Sequence, residues 1–215
     1  MNENSSKQVL LSVLGIAVLV VAVVGVSFAF FTYSKQGTTS NTLTTGNIFF
    51  NFTEGNAISL SNEFPRTDTS GKALTTEQNG ALTFTITGYD SSAKGIDYTV
   101  LAIPGDTDGT KTRFKDSEIK LYLVASTSET TNNITNKYST PTVVGTDGSL
   151  TTSGITLATG KITATSSTAQ QTDSYTLRMW ISNAVTIGEG NTYTTEAYGN
   201  LYYSLKLKVN ANTAN

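Results

Sequence analysis

The chain has 215 residues, a net charge of only −2 and 14% charged side chains, so it carries neither the basic field of a nucleic-acid binder nor a strongly acidic one. Nucleic acid is not expected as a partner. Cysteine and histidine are both absent, which removes disulfides, thiolate chemistry, the commonest general base near neutral pH and the commonest zinc ligand.

The first predicted element is apolar. From Val9 to Phe31 the run VLLSVLGIAVLVVAVVGVSFAFF is free of charge, and as a helix at roughly 1.5 Å per residue it spans about 34 Å, enough to cross a bilayer. It also has the parts of a secretory signal: Lys7 makes a weakly positive start, and Ser27 and Ala29 place small residues at the −3 and −1 positions of a cut before Phe30. Residues 1–29 are therefore read as a signal peptide or membrane-spanning segment. Retained, residues 9–31 hold the chain at a membrane; cleaved, they release it as a secreted protein beginning at Phe30.

Residues 30–46 read as a flexible N-terminal segment, and 47–215 as one β-rich domain. Ile48, Phe50 and Phe52 alternate onto one face, and Leu82 to Thr87 alternates apolar with threonine. Similar runs follow at Ile96 to Ala102, Ile119 to Leu123, near Val143, Ile155 to Ile162, Tyr175 to Ser182 and Leu201 to Val209. Pro104 and Pro141 sit at run ends, where a missing N–H does little harm. No stretch after residue 33 keeps a helical period. The class expected is all-β, an antiparallel β-sandwich or jelly roll preceded by one N-terminal hydrophobic helix. The polar stretch Ser126 to Thr140 is expected as a mobile loop.

The leader ending in Ala29-Phe30-Phe31, the FFTYS and Thr/Ser linker after it, and TTGNIFFNFTEG with Thr45, Gly46 and Asn47 together resemble the TasA/camelysin-like exported proteins. The resemblance covers roughly residues 10 to 60. It implies a subunit of a biofilm-matrix fibre, released by a dedicated signal peptidase and secreted to the cell surface. Its main partner would then be itself, because the freed N-terminal segment of one subunit adds as a strand to the next. Backbone hydrogen bonds supply the affinity in such β-augmentation, and alternate side chains fill pockets. Phe30, Phe31, Tyr33 and Gly46 mark the candidate donor segment, which otherwise reads as the domain's own first strand.

The camelysin branch is described as proteolytic, but without histidine neither a zinc-protease helix nor a Ser-His-Asp triad can be built. The acidic residues fall mostly at turn-like or strand-exposed positions, so no enzyme activity and no cofactor is expected. Asp106-Thr107-Asp108-Gly109 begins like a calcium loop but lacks the later acidic positions, which favours a plain turn. Asn51-Phe52-Thr53 and Asn133-Ile134-Thr135 are formal glycosylation sequons. In YTLRMWIS, Leu177, Met179 and Ile181 share one face and leave Arg178 and Trp180 on the other, as a candidate interface or as local packing. Two alternatives to the fibre remain: a membrane-anchored monomeric domain binding carbohydrate or protein, and a pilin-like subunit that keeps its apolar helix.

Overall fold

The computed structural model describes residues 32–36, 41–45, 48–54, 58–61, 63–76, 80–145, 150–190 and 192–214, with side chains described from Ile48 onward. The chain divides into two compact units, Met1–Tyr33 and Ser34–Asn215, and nearly all described residues belong to the second. The apolar run from Val9 to Phe31 lies outside the described residues. Among those described, no helix is long and apolar enough to cross a membrane.

The second unit is all-β and sandwich-like, as the alternation requires. In chain order the described strands are β1 (Thr32–Gln36), β2 (Asn41–Thr45), β3 (Ile48–Glu54), β4 (Ser59–Ser61), β5 (Ala81–Asp90), β6 (Ile96–Pro104) and β7 (Thr112–Arg113). There follow β8 (Ile119–Thr127), β9 (Thr135–Asn136), β10 (Thr142–Val143), β11 (Ile155–Ile162), β12 (Gln171–Ile181) and β13 (Leu201–Thr213). One sheet runs β1-β13-β6-β11-β9, with β4 and β7 attached to β13; the other runs β10-β8-β12-β5-β3-β2. Two five-residue helices, α1 (Asp68–Lys72) and α2 (Thr195–Gly199), lie between strands. They are too short to carry the 3.6-residue period by which a helix is recognised in sequence.

The core sits between the sheets. Phe50, Phe52, Phe84, Ile86, Tyr98, Val100, Leu121, Leu123, Tyr175, Leu177, Leu207 and Val209 are all at most 2% exposed. Rings from opposite sheets meet there: Phe50 and Tyr98 have centroids 6.2 Å apart, and within one sheet Phe84 stacks on Tyr175 at 4.7 Å. Close packing leaves room only for glycine opposite Tyr98, because a Cβ on Gly160 would fall 2.2 Å from the phenol oxygen.

Pro104 closes β6 and Pro141 precedes β10, so both prolines stand where the sequence places them. The stretch from Ser126 to Thr140 departs from expectation. Its first two residues finish β8, Thr135–Asn136 pair with β11 as β9, and Tyr138 is buried. Asn136 donates through Nδ2 to the Leu123 carbonyl at 2.7 Å, and Leu123 donates to the Tyr138 carbonyl at 2.8 Å. One aromatic and one amide anchor a segment whose composition reads as loop.

Candidate functional site

The candidate site for assembly is the pair of sheet edges carrying the N-terminal strands. β2 pairs antiparallel with β3 from Asn41↔Phe52 to Thr45↔Ile48, and β3 pairs in turn with β5 from Ile48↔Asp90 to Glu54↔Phe84. β2 is thus the outermost strand of its sheet, while β1 borders β13 at the end of the other. Two strands four residues apart in the chain occupy edges of two different sheets. Among the described side chains the buried ones begin at Ile48.

Of the residues singled out from sequence, Ser27, Ala29, Phe30, Phe31 and Gly46 lie outside the described residues. Tyr33 falls within β1, with its side chain outside them. Arg178 and Trp180 do lie on the face opposite Leu177, Met179 and Ile181, but that face is covered. Trp180 is 1% exposed and α1 lies across it, with Gly71 so close that a Cβ there would meet the indole at 2.3 Å. Arg178 donates through Nε to the Leu74 carbonyl at 2.8 Å. Trp180 is therefore core rather than a surface anchor, and its Nε1 finds no hydrogen-bond partner among the described residues. The large apolar side chain exposed near it is Phe64, at 72%.

Asp106 and Asp108 serve a turn. Lys206 Nζ donates to Asp106 Oδ1 at 2.6 Å, and Asp108 Oδ1 accepts from Thr110 Oγ1 and N at 2.6 and 3.1 Å. Those Thr110 bonds hold the Asp108 carboxyl below its ordinary range. Among the described residues no three acidic side chains group closely enough to hold a metal. Asn51 lies half-buried in β3, its Nδ2 donating to Thr53 Oγ1 at 3.1 Å, while Asn133 lies on the stretch between β8 and β9.

Four acidic residues, Asp90, Asp116, Glu118 and Asp173, are nevertheless buried. Each finds donors. Tyr98 donates its hydroxyl across the sandwich to Asp173 Oδ2 at 2.5 Å and shares a 2.6 Å hydrogen bond with Tyr175. Gln171 Nε2 donates to both Asp173 oxygens at 3.0 Å and to the Lys161 carbonyl at 2.9 Å. Asp116 accepts from Arg113 at 2.7 Å, from the Tyr203 hydroxyl at 2.6 Å and from the Leu150 amide. The Arg113 guanidinium lies 4.2 Å over the Tyr203 ring. Glu118 accepts from the Tyr193 hydroxyl at 2.8 Å and from the Lys115 amide at 3.0 Å. In Asp90 burial pushes the carboxyl up, but bonds from Ser92 Oγ, Ser92 N and Gly95 N outweigh it and hold it low.

Burial raises the Tyr98, Tyr175 and Tyr203 phenols well above their ordinary value, and pushes Tyr193 and Tyr198 up to about 12. A buried polar network with every member bonded specifies one packing of the sheets. No pattern in the sequence marks these carboxylates, since each sits at a strand or turn position like many exposed ones.

No family model, curated protein or solved structure matches the chain.

Proposed function

We propose that the chain is a secreted or cell-surface structural protein that assembles into an extracellular fibre by β-strand exchange between copies. The observation that carries this reading is the placement of β1 and β2 as consecutive strands on the edges of two different sheets. Such a segment leaves two backbone edges, on β3 and β13, when it departs. The same segment of another copy restores the same hydrogen bonds there. Exchange of this kind trades identical bonds, so its equilibrium depends on concentration and its rate on the opening of the edge. Because β2 pairs with β3 of its own chain, the segment must leave its own edge before it can serve a neighbour.

The same reading takes the sandwich to be a jelly roll. Its support is the nesting of pairs, β5 with β12 and β6 with β11, with β8 lying between β10 and β12. It takes residues 1–29 as a leader removed by a signal peptidase. A structural rather than catalytic role is supported by the absence of histidine and cysteine and by buried carboxylates that are all occupied with internal donors.

Deleting residues 30–46 from the mature chain tests the proposal. The truncated protein should keep a β-dominated far-ultraviolet spectrum, stay soluble and fail to elongate, and the synthetic segment added back should cap the edges and inhibit polymerisation of intact protein. A mature chain that stays monomeric by light scattering over a broad range of concentration and pH, with residues 30–46 protected from protease, refutes it. The segment would then be only the domain's own first strands.

A further inference from the structure

A cleft of about 400 Å³ opens where β6 parts from β13. The ladder between them ends at Leu205↔Pro104, and Gly105 donates once more to the Ser204 carbonyl at 3.1 Å. The chain then swings outward through Asp106, Thr107 and Asp108 and regains β13 only as β7, which pairs with Leu201 and Tyr202. Along the other side of the same stretch of β13 runs β4, from Ser59↔Ser204 to Ser61↔Tyr202. The cleft lies between these two walls.

Its chemistry is mixed in a particular way. Alternate residues of β13, Tyr202, Ser204 and Lys206, line it, together with Leu205 and with Ile58 before β4. The walls add the hydroxyls of Ser59, Ser61 and Thr107. Both acidic groups have a lysine to balance them. Asp106 is bonded to Lys206 at 2.6 Å, and Asp108 feels the charge of Lys111, whose Nζ is tied to Ser61 Oγ at 2.5 Å. The Asp106 side chain nevertheless stays 86% exposed while that of Lys206 is 27% exposed, so the carboxylate is held in place yet remains open to a ligand.

From this balance we infer that the cleft binds a neutral saccharide. Paired charges leave no net field to draw in a phosphate or a free cation. A fixed carboxylate beside an ammonium and a row of hydroxyls offers both acceptors and donors to adjacent sugar hydroxyls, and charge-assisted bonds of that kind are the stronger ones. Ile58, Leu205 and Tyr202, at 1%, 1% and 6% exposed, form the closed floor of the cleft, so a sugar would be held by the polar walls above them. The volume falls in the lower part of the range of roughly 300–1,000 Å³ usual for small-ligand sites. The site lies away from β2 and its pairing with β3, and it serves a fibre subunit and an anchored monomer alike.

The test is titration of the full chain, in mild detergent, with soluble neutral oligosaccharides of glucose, mannose, galactose and N-acetylglucosamine, and with a polyuronic acid as anionic comparison. Binding is read by calorimetry and by nuclear magnetic resonance shifts at Tyr202 and Lys206. At least one neutral oligosaccharide should bind and shift those resonances. Asp106→Asn, Lys206→Met and the cleft-filling Ser59→Trp should each weaken it by about tenfold or more, a loss of about 1.4 kcal/mol in binding. Lys94→Met, at an exposed turn elsewhere, should bind as the parent does. Circular dichroism verifies that each variant is folded, and the exposure of Asp106 and Ser59 makes loss of fold unexpected there. The inference is overturned if no neutral oligosaccharide shifts the cleft resonances at millimolar concentration. It is equally overturned if the polyuronic acid binds better than all of them, or if all three cleft variants bind undiminished.

Discussion

Raising the pH should unfold this protein through its tyrosines. Tyr98 and Tyr175 are 2% exposed and Tyr203 is 0% exposed, and burial holds all three phenols protonated well above the ordinary value of 10.0. In the unfolded chain the same groups ionise near 10. A group whose pKa is raised by folding contributes stability that is fully present below its unfolded pKa and is lost as pH rises beyond it. At about pH 11, one unit above the unfolded value, each buried phenol therefore removes about 1.4 kcal/mol, and the three together about 4 kcal/mol. That is a large part of the roughly 5–15 kcal/mol typical of a domain. Tyr193 and Tyr198, at about 12, act in the same direction but are less enclosed and are left out of the sum. Urea titrations at a series of pH values should show a midpoint that is nearly level below about pH 9.5 and falls steeply above about pH 10. Tyrosinate absorbance should rise in two stages, the exposed phenols first and the buried ones only as the chain unfolds. A single stage near the ordinary phenol value, with the β-spectrum intact, would refute the burial of these three groups.

Gly71→Ala should destabilise the domain by about 1–2 kcal/mol, the strain of driving a Cβ into the Trp180 ring less the better helix propensity of alanine. Gly109→Ala, with nothing within 4 Å of the added carbon, should stay within about 0.5 kcal/mol of the parent by the same urea titration. Asp116→Ala should cost about 3 kcal/mol, since it leaves the Tyr203 hydroxyl and the Leu150 amide unpaired and Arg113 without its carboxylate, and a midpoint unchanged in urea would contradict that account. Replacing Phe31 and Tyr33 with Ser should slow elongation, followed by light scattering, more than it lowers the unfolding midpoint. N-terminal sequencing of exported protein should read Phe30 first, and a product that still carries Val9 to Val26 would remove the cleaved-leader reading.

Strand positions were legible because alternation is local: side chains of period two face one way whatever the strand pairs with, and Ile155–Ile162 came out of the sequence with both ends where the structure has them. The lack of histidine and cysteine likewise bounded the chemistry before any fold was known. What covers a strand's second face is not local. Trp180 points away from the sandwich interior as its neighbours demand, yet α1, more than a hundred residues earlier, lies over it and turns a surface candidate into core. Tyr98 and Asp173 lie 75 positions apart and meet only because β6 and β12 face each other across the sandwich, so the burial of that carboxylate could not be read from its neighbours. The cleft has the same origin, since Asp106 and Lys206 are 100 positions apart. Alternation assigns each residue a face, but sheet order and chain path decide what that face meets, and they depend on long-range pairings that no short window of sequence contains.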